Sequence, residues 1–145
     1  MTVRFPSLEF FRGLQQRTRD AAPTFEKLGY CDTRFGVKIG DRLYTVEFEV
    51  YECMGTEEGG DETGLDFVLE GSAETWTEMV RSIVENEGAD AAHTLNTLSH
   101  IGDVLEVRFE DPEGFDMFYR FMATLQEFFD QAHHLDVALE PGGRP

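Results

Sequence analysis

Residues 33–50 read TRFGVKIGDRLYTVEFEV, and their alternation decides the fold class. Thr33, Phe35, Val37 and Ile39 alternate with Arg34, Gly36 and Lys38. Tyr44, Val46, Phe48 and Val50 alternate with Thr45, Glu47, Glu49 and Tyr51. A period of two marks a strand with one buried face. Gly40-Asp41 between the two runs suits a two-residue hairpin turn. That turn sets Val37 opposite Tyr44, Phe35 opposite Val46 and Thr33 opposite Phe48, and places Arg34 opposite Glu47 on the other face. One register satisfies the apolar pairs and the charge pair together.

Upstream of the hairpin, Pro6-Ser7 opens a helix predicted to run to about Ala22, with Leu8, Phe11 and Leu14 at helical spacing and Pro23 ending or restarting it. Downstream, Gly55 to Gly64 reads as a solvated loop rich in glycine and acid. Its spacing does not follow a calcium loop. A third strand is expected over Leu65–Glu70. Ser72 then caps a helix whose inward face is Trp76, Met79, Val80 and Ile83, and Gly88 stops it. A short helix over Ala91–Ile101 stopped by Gly102, and a strand over Val104–Phe109, follow. Asp111-Pro112 is an N-cap followed by proline at the first helical position, opening one long helix to Leu135. Its broad stripe is Phe115, Phe118, Tyr119, Met122, Leu125, Phe129 and Ala132, widened by Phe121 and Phe128. Residues 1–136 form one domain on this reading, and 137–145 a flexible tail. Segregated strands and helices favour an α+β class.

The chain has 145 residues, enough for one domain with its own core. Twenty-nine acidic groups against 12 Lys and Arg give a net charge of −17. Phosphate-rich nucleic acid and anionic membrane surfaces need basic patches, so neither is an expected partner. Cys31 and Cys53 are expected as free, partly buried thiols, which points to a reducing compartment. With no basic-then-apolar leader, no apolar run of about 18 residues and no Ser-Lys-Leu ending, the expected location is cytoplasmic.

Catalytic and metal patterns are thin. There is no Gly-x-Ser-x-Gly, phosphate-cradling glycine loop or dinucleotide fingerprint. Asp111, Glu113, Asp116, Tyr119, Arg120 and His93 make only a notional acid/base set in so acidic a chain. His93 and His100, seven apart, share a helix face without the further ligands that zinc requires. No catalytic residue, metal or cofactor is therefore assigned. The aromatic stripe lines either a filled core or an apolar pocket, and periodicity does not separate the two.

The path from Asp66-Phe67-Val68-Leu69 through the Trp76 helix, Gly102, Leu105-Glu106-Val107 and the Phe118/Phe121 helix resembles the sterol carrier protein type 2 family over about residues 7 to 133. His93-Thr94-Leu95-Asn96-Thr97-Leu98 with Asp111-Pro112-Glu113-Gly114 looks more like small stand-alone bacterial domains of that kind. The resemblance implies a five-stranded, largely antiparallel sheet covered by helices around an apolar tunnel. It implies non-enzymatic binding of a fatty acid, acyl chain or sterol. Carried over by position, Phe67, Leu69, Trp76, Met79, Val80, Phe118, Phe121 and Met122 would line that tunnel. The chain departs from the family in its acidic 55–64 loop and in lacking a basic docking surface. An acidic partner-binding or structural module with a closed core is the alternative, and an enzyme acting on a hydrophobic small molecule the third reading. Oligomeric state is open.

Overall fold

The computed structural model describes residues 2–100 and 104–139. The hairpin forms as the alternation requires. Strand β2 (Thr33–Ile39) pairs antiparallel with β3 (Arg42–Glu49), with Val37 opposite Tyr44, Phe35 opposite Val46, Thr33 opposite Phe48 and Arg34 opposite Glu47. β3 stops at Glu49, and Val50 takes a left-handed φ of 57°, so Val50 and Tyr51 belong to a turn and not to the strand.

That turn delivers a strand the sequence reading placed in a loop. β4 (Glu52–Glu58) pairs with β3, and the expected 55–64 loop begins only after Glu58. The pairing slips between Glu47/Gly55 and Phe48/Cys53, leaving Met54 as an extra residue. A bulge of this kind interrupts the period of two. Cys53 and Thr56 both point into the protein although three positions apart, and no alternation announces them.

The sheet is completed by β5 (Phe67–Gly71), parallel to β2, and β6 (Glu106–Arg108), antiparallel to β5. The strand order is β4-β3-β2-β5-β6, five strands with one parallel pair, in an α+β arrangement as expected. β6 is shorter than the predicted Val104–Phe109.

One face carries the core. Phe35, Val37, Tyr44, Val46, Phe48, Phe67 and Leu69 are buried against the helices. Helix α1 (Leu8–Asp20) is capped by Ser7, whose hydroxyl accepts from the Phe10 amide. α1 runs along β4 and shields this edge, since Thr18 Oγ1 accepts from the Cys53 amide at 3.1 Å and Thr56 donates to Gln15 at 2.9 Å. Pro23 restarts the helix as α2 (Ala22–Leu28). α3 (Ala73–Asn86) is capped by Ser72 and buries Trp76, Met79, Val80 and Ile83. α4 (Leu95–His100) begins later than the predicted Ala91. Its expected stop at Gly102, and Ile101, lie outside the described residues.

The single long C-terminal helix is instead two helices. α5 (Pro112–Arg120) and α6 (Met122–Asp130) meet at Phe121, whose ψ of 9° breaks the helical run, and a 3-10 turn over Gln131–His134 follows. Asp111 caps α5 as expected, accepting from the Glu113 amide at 3.0 Å. The break splits the predicted stripe. Phe118, Leu125, Phe128, Phe129 and Ala132 reach the core, while Phe115 and Tyr119 stay outside it.

A second correction concerns the ends. Thr2–Phe5 (β1) and Asp136–Leu139 (β7) pair in parallel as a separate two-stranded ribbon. Val137 to Leu139, expected within a flexible tail, are therefore paired backbone; the rest of that tail, 140–145, lies outside the described residues.

The opposite sheet face is not simply solvated. Gly36 sits there, and a Cβ on it would lie 3.0–3.2 Å from Leu43, Leu65 and Val68. The absent side chain lets Leu65 fold down onto the sheet and cover this face, while Gly60, Asp61, Thr63 and Gly64 before it stay exposed.

Candidate functional site

All eight residues placed on the family tunnel fall in or against one core. Leu69, Trp76, Met79, Val80 and Phe118 have no exposed surface, Phe67 and Phe121 are buried, and Met122 packs against them half-buried. The rings touch one another and do not face a gap. Phe67 stacks on Phe35 at 5.2 Å and meets Phe118 edge-on at 5.6 Å, and Trp76 lies 5.5 Å from Phe129. Trp76 donates its indole N–H to the Lys38 carbonyl at 3.0 Å. The interior around these residues is packed.

Open space lies at the sheet edge. β5 and β6 pair from Val68–Arg108 to Glu70–Glu106 and then diverge toward Phe67 and Phe109. In that splay is a cleft of about 580 Å³ walled by Leu65, Phe67, Val68, Val107 and Phe109 and by Glu62, Thr63, Glu106, Arg108 and Glu110. Phe67 is the one expected tunnel residue that it reaches. A second recess, lined in part by His100, Leu105, Phe115 and Tyr119, shares Glu106 and Val107 with the first. β6 is thus a thin wall between two hollows.

Arg108 is the cation that lines the cleft. Arg108 Nε bonds Glu70 at 2.5 Å and its Nη1 bonds Glu62 at 3.0 Å. Hydrogen bonding by this guanidinium holds the Glu62 carboxyl below the usual carboxylate range. Lys38 also approaches Glu62, at 3.8 Å. Glu62 comes from the acidic connection that the sequence reading left in solvent.

An exposed row of rings borders β6 on the helix side. Phe109 and Phe115 are 5.3 Å apart, Phe115 and Tyr119 4.8 Å, and Tyr119 Oη lies 2.7 Å from His100 Nδ1. Sequence reasoning put Phe115 and Tyr119 in the core, because the break at Phe121 that turns them outward has no glycine or proline to announce it.

The other polar candidates do not converge. His93 holds Asp90 at 2.7 Å, before α4, while His100 at its end pairs with Tyr119. Asp111 is occupied as a helix cap. Cys31 and Cys53 are free and fully buried, and burial pushes both thiols up from 9.0 to about 12. Two consequences follow. A thiol reagent at pH 8 should label neither cysteine in the native protein and both in denaturant. The raised folded values mean that the native state holds protons the unfolded chain releases, so stability should fall as pH rises from about 9 toward 12. With both thiols involved the slope approaches about 2.7 kcal/mol per pH unit. Urea midpoints from pH 8 to 10.5 check this, with a Cys31→Ala/Cys53→Ala variant expected to show a flatter profile.

No family model matches the sequence, and no curated protein does. The fold has solved counterparts. A crystal structure of sterol carrier protein 2 superposes with a TM-score of 0.63 at 12% identity, covering 89% of this chain and 97% of the other. The solution structure of a conserved hypothetical protein from Thermus thermophilus, described as a possible sterol carrier protein, superposes with a TM-score of 0.54 at 14% identity, covering 95% and 92%. With a five-stranded sheet in a single α+β layer arrangement and near-complete mutual coverage, this chain has the sterol carrier protein 2 fold.

Proposed function

We propose that this protein binds an apolar, lipid-like molecule without covalent chemistry, and that the molecule enters at the splay between β5 and β6. The cleft over Phe67 carries this reading. Its size is that of a small-ligand site, and Phe67, one of the residues expected to line a tunnel, is part of its wall. Behind Phe67 stands Phe118, and the same core is bordered by Met122, a residue type that changes shape readily. An alkyl tail would pass between them toward Leu69, Trp76, Met79, Val80 and Phe121. Burial of the tail contributes about 25 cal/mol per Å², offset by the cost of parting the packed rings. The name of sterol carrier protein 2 gives that protein a sterol cargo, which agrees with an apolar ligand here. Of the polar groups lining the cleft, Glu62 and Arg108 are engaged with each other, while Glu106 and Glu110 make no ion pair among the described residues.

The test is native mass spectrometry of purified protein together with titration by a fluorescent fatty alcohol. Saturable one-to-one uptake is expected, weakened at least tenfold, about 1.4 kcal/mol, by Val107→Trp, which enlarges a side chain of the cleft wall. Unsaturable uptake, or a Val107→Trp variant that is folded and binds as well as the parent, would sink the reading. A second reading is favoured by the packed interior: a closed-core module that engages a partner through exposed Phe109, Phe115 and Tyr119. It expects no lipid uptake at all.

A further inference from the structure

We propose that the head group this cleft accepts is cationic, a quaternary ammonium or protonated amine on an alkyl chain, and not a carboxylate. The inference rests on the lipid-binding reading above and names its ligand class. The polar walls of the cleft are Glu62, Thr63, Glu106, Arg108 and Glu110, three carboxylates against one guanidinium. That guanidinium is already committed, bonded by Glu70 on one side and Glu62 on the other. A fatty-acid carboxylate reaching the remaining N–H groups of Arg108 would share one positive charge with Glu62 and Glu70 and would sit among the other acids. Glu106 and Glu110 are exposed, and no ion pair joins either to a described residue, so their charge faces the cleft uncompensated. Glu106 also faces the adjoining recess bordered by Phe115 and Tyr119.

The aromatic row adds a second attraction of the same sign. Phe109 walls the cleft, and the ring contacts continue through Phe115 to Tyr119, all three exposed beside β6. Ring faces attract an alkylammonium and offer nothing comparable to a carboxylate. Three carboxylates and the exposed Phe109 ring at this cleft, with Phe115 and Tyr119 in the adjoining recess across β6, are the complement of an onium group carrying an apolar tail. The net charge of −17 would draw such a ligand from a distance and repel an anionic one.

The experiment is calorimetric titration with three amphiphiles sharing a lauryl tail, lauryltrimethylammonium, laurate and lauryl alcohol, each below its micelle threshold. The expected result is one-to-one binding of the ammonium at least tenfold tighter than laurate, a preference that shrinks as salt is added. Glu106→Gln/Glu110→Gln should remove most of the preference. Glu26→Gln/Glu85→Gln, which changes the net charge equally at exposed sites on α2 and α3, should leave it. Laurate binding as tightly as the ammonium, with the alcohol also bound, overturns the head-group assignment and leaves the lipid reading standing. Equal loss in both double variants overturns it as a bulk charge effect. Binding of none of the three overturns the lipid reading itself, and this inference with it.

Discussion

Trp76→Ala should lower the unfolding free energy by about 3–5 kcal/mol, read as a shift in denaturant midpoint. The indole has no exposed surface, lies 5.5 Å from the Phe129 ring, and comes so close to the backbone at Gly71 that a Cβ there would sit 3.2 Å from Nε1. It also ties α3 to the sheet through its bond to the Lys38 carbonyl. Alanine removes the packing and the bond together and leaves a cavity in the core. For a domain whose whole stability is about 5–15 kcal/mol, that is a large share. Trp76→Phe keeps most of the apolar surface and leaves the Lys38 carbonyl without its indole partner, so it should cost about 1–3 kcal/mol. A loss below about 1 kcal/mol in the alanine variant would mean that the indole is not packed as described. Because the destabilisation arises in any functional reading, this substitution does not test ligand binding. Val107→Trp, at the cleft, does.

Gly114→Ala is the second large effect, and its sign opposes helix propensity. Glycine inside a helix is usually worse than alanine by about 1 kcal/mol. Gly114 lies in α5, yet a Cβ there would stand 1.9 Å from the Asp66 carbonyl oxygen and 3.1 Å from Phe109 Cβ. The obstructing atom is backbone, so no rotamer change relieves it. α5 must move off the start of β5, breaking the contact that sets Phe118 on Phe67. Overpacking of this kind costs about 1–3 kcal/mol and here outweighs the propensity gain. The expected outcome is a fall in Tm of several degrees, at about 2–4 °C per kcal/mol for a domain of this size. A Tm equal to or above the parent's would refute the close approach of α5 to β5.

The elements that sequence reasoning located correctly are those whose signal is local. The β2–β3 register is written in adjacent residues, because alternation and the Gly40-Asp41 turn allow one pairing that buries every apolar side chain. Ser7, Ser72 and Asp111 mark helix starts for the same reason, each cap satisfying an amide within three positions. The features that were missed depend on distant partners. β4 carries a bulge that breaks its period, and it is held as a strand by β3 and by Gln15 and Thr18 of α1. β1 and β7 are four residues each, and their pairing joins Thr2 to Asp136 across nearly the whole chain.

The candidate site divides along the same line. Helical spacing marked Trp76, Met79, Val80 and Phe118 as a buried face, and all four are inside, although the same spacing also put Phe115 and Tyr119 there. Tertiary structure decided that those side chains meet one another, that α5 ends at Arg120 and turns Phe115 and Tyr119 outward, and that β5 and β6 part to open a cleft beside Arg108. Whether apolar surfaces close on each other or leave a gap is fixed by the relative placement of whole elements, to which the period of any one of them is blind.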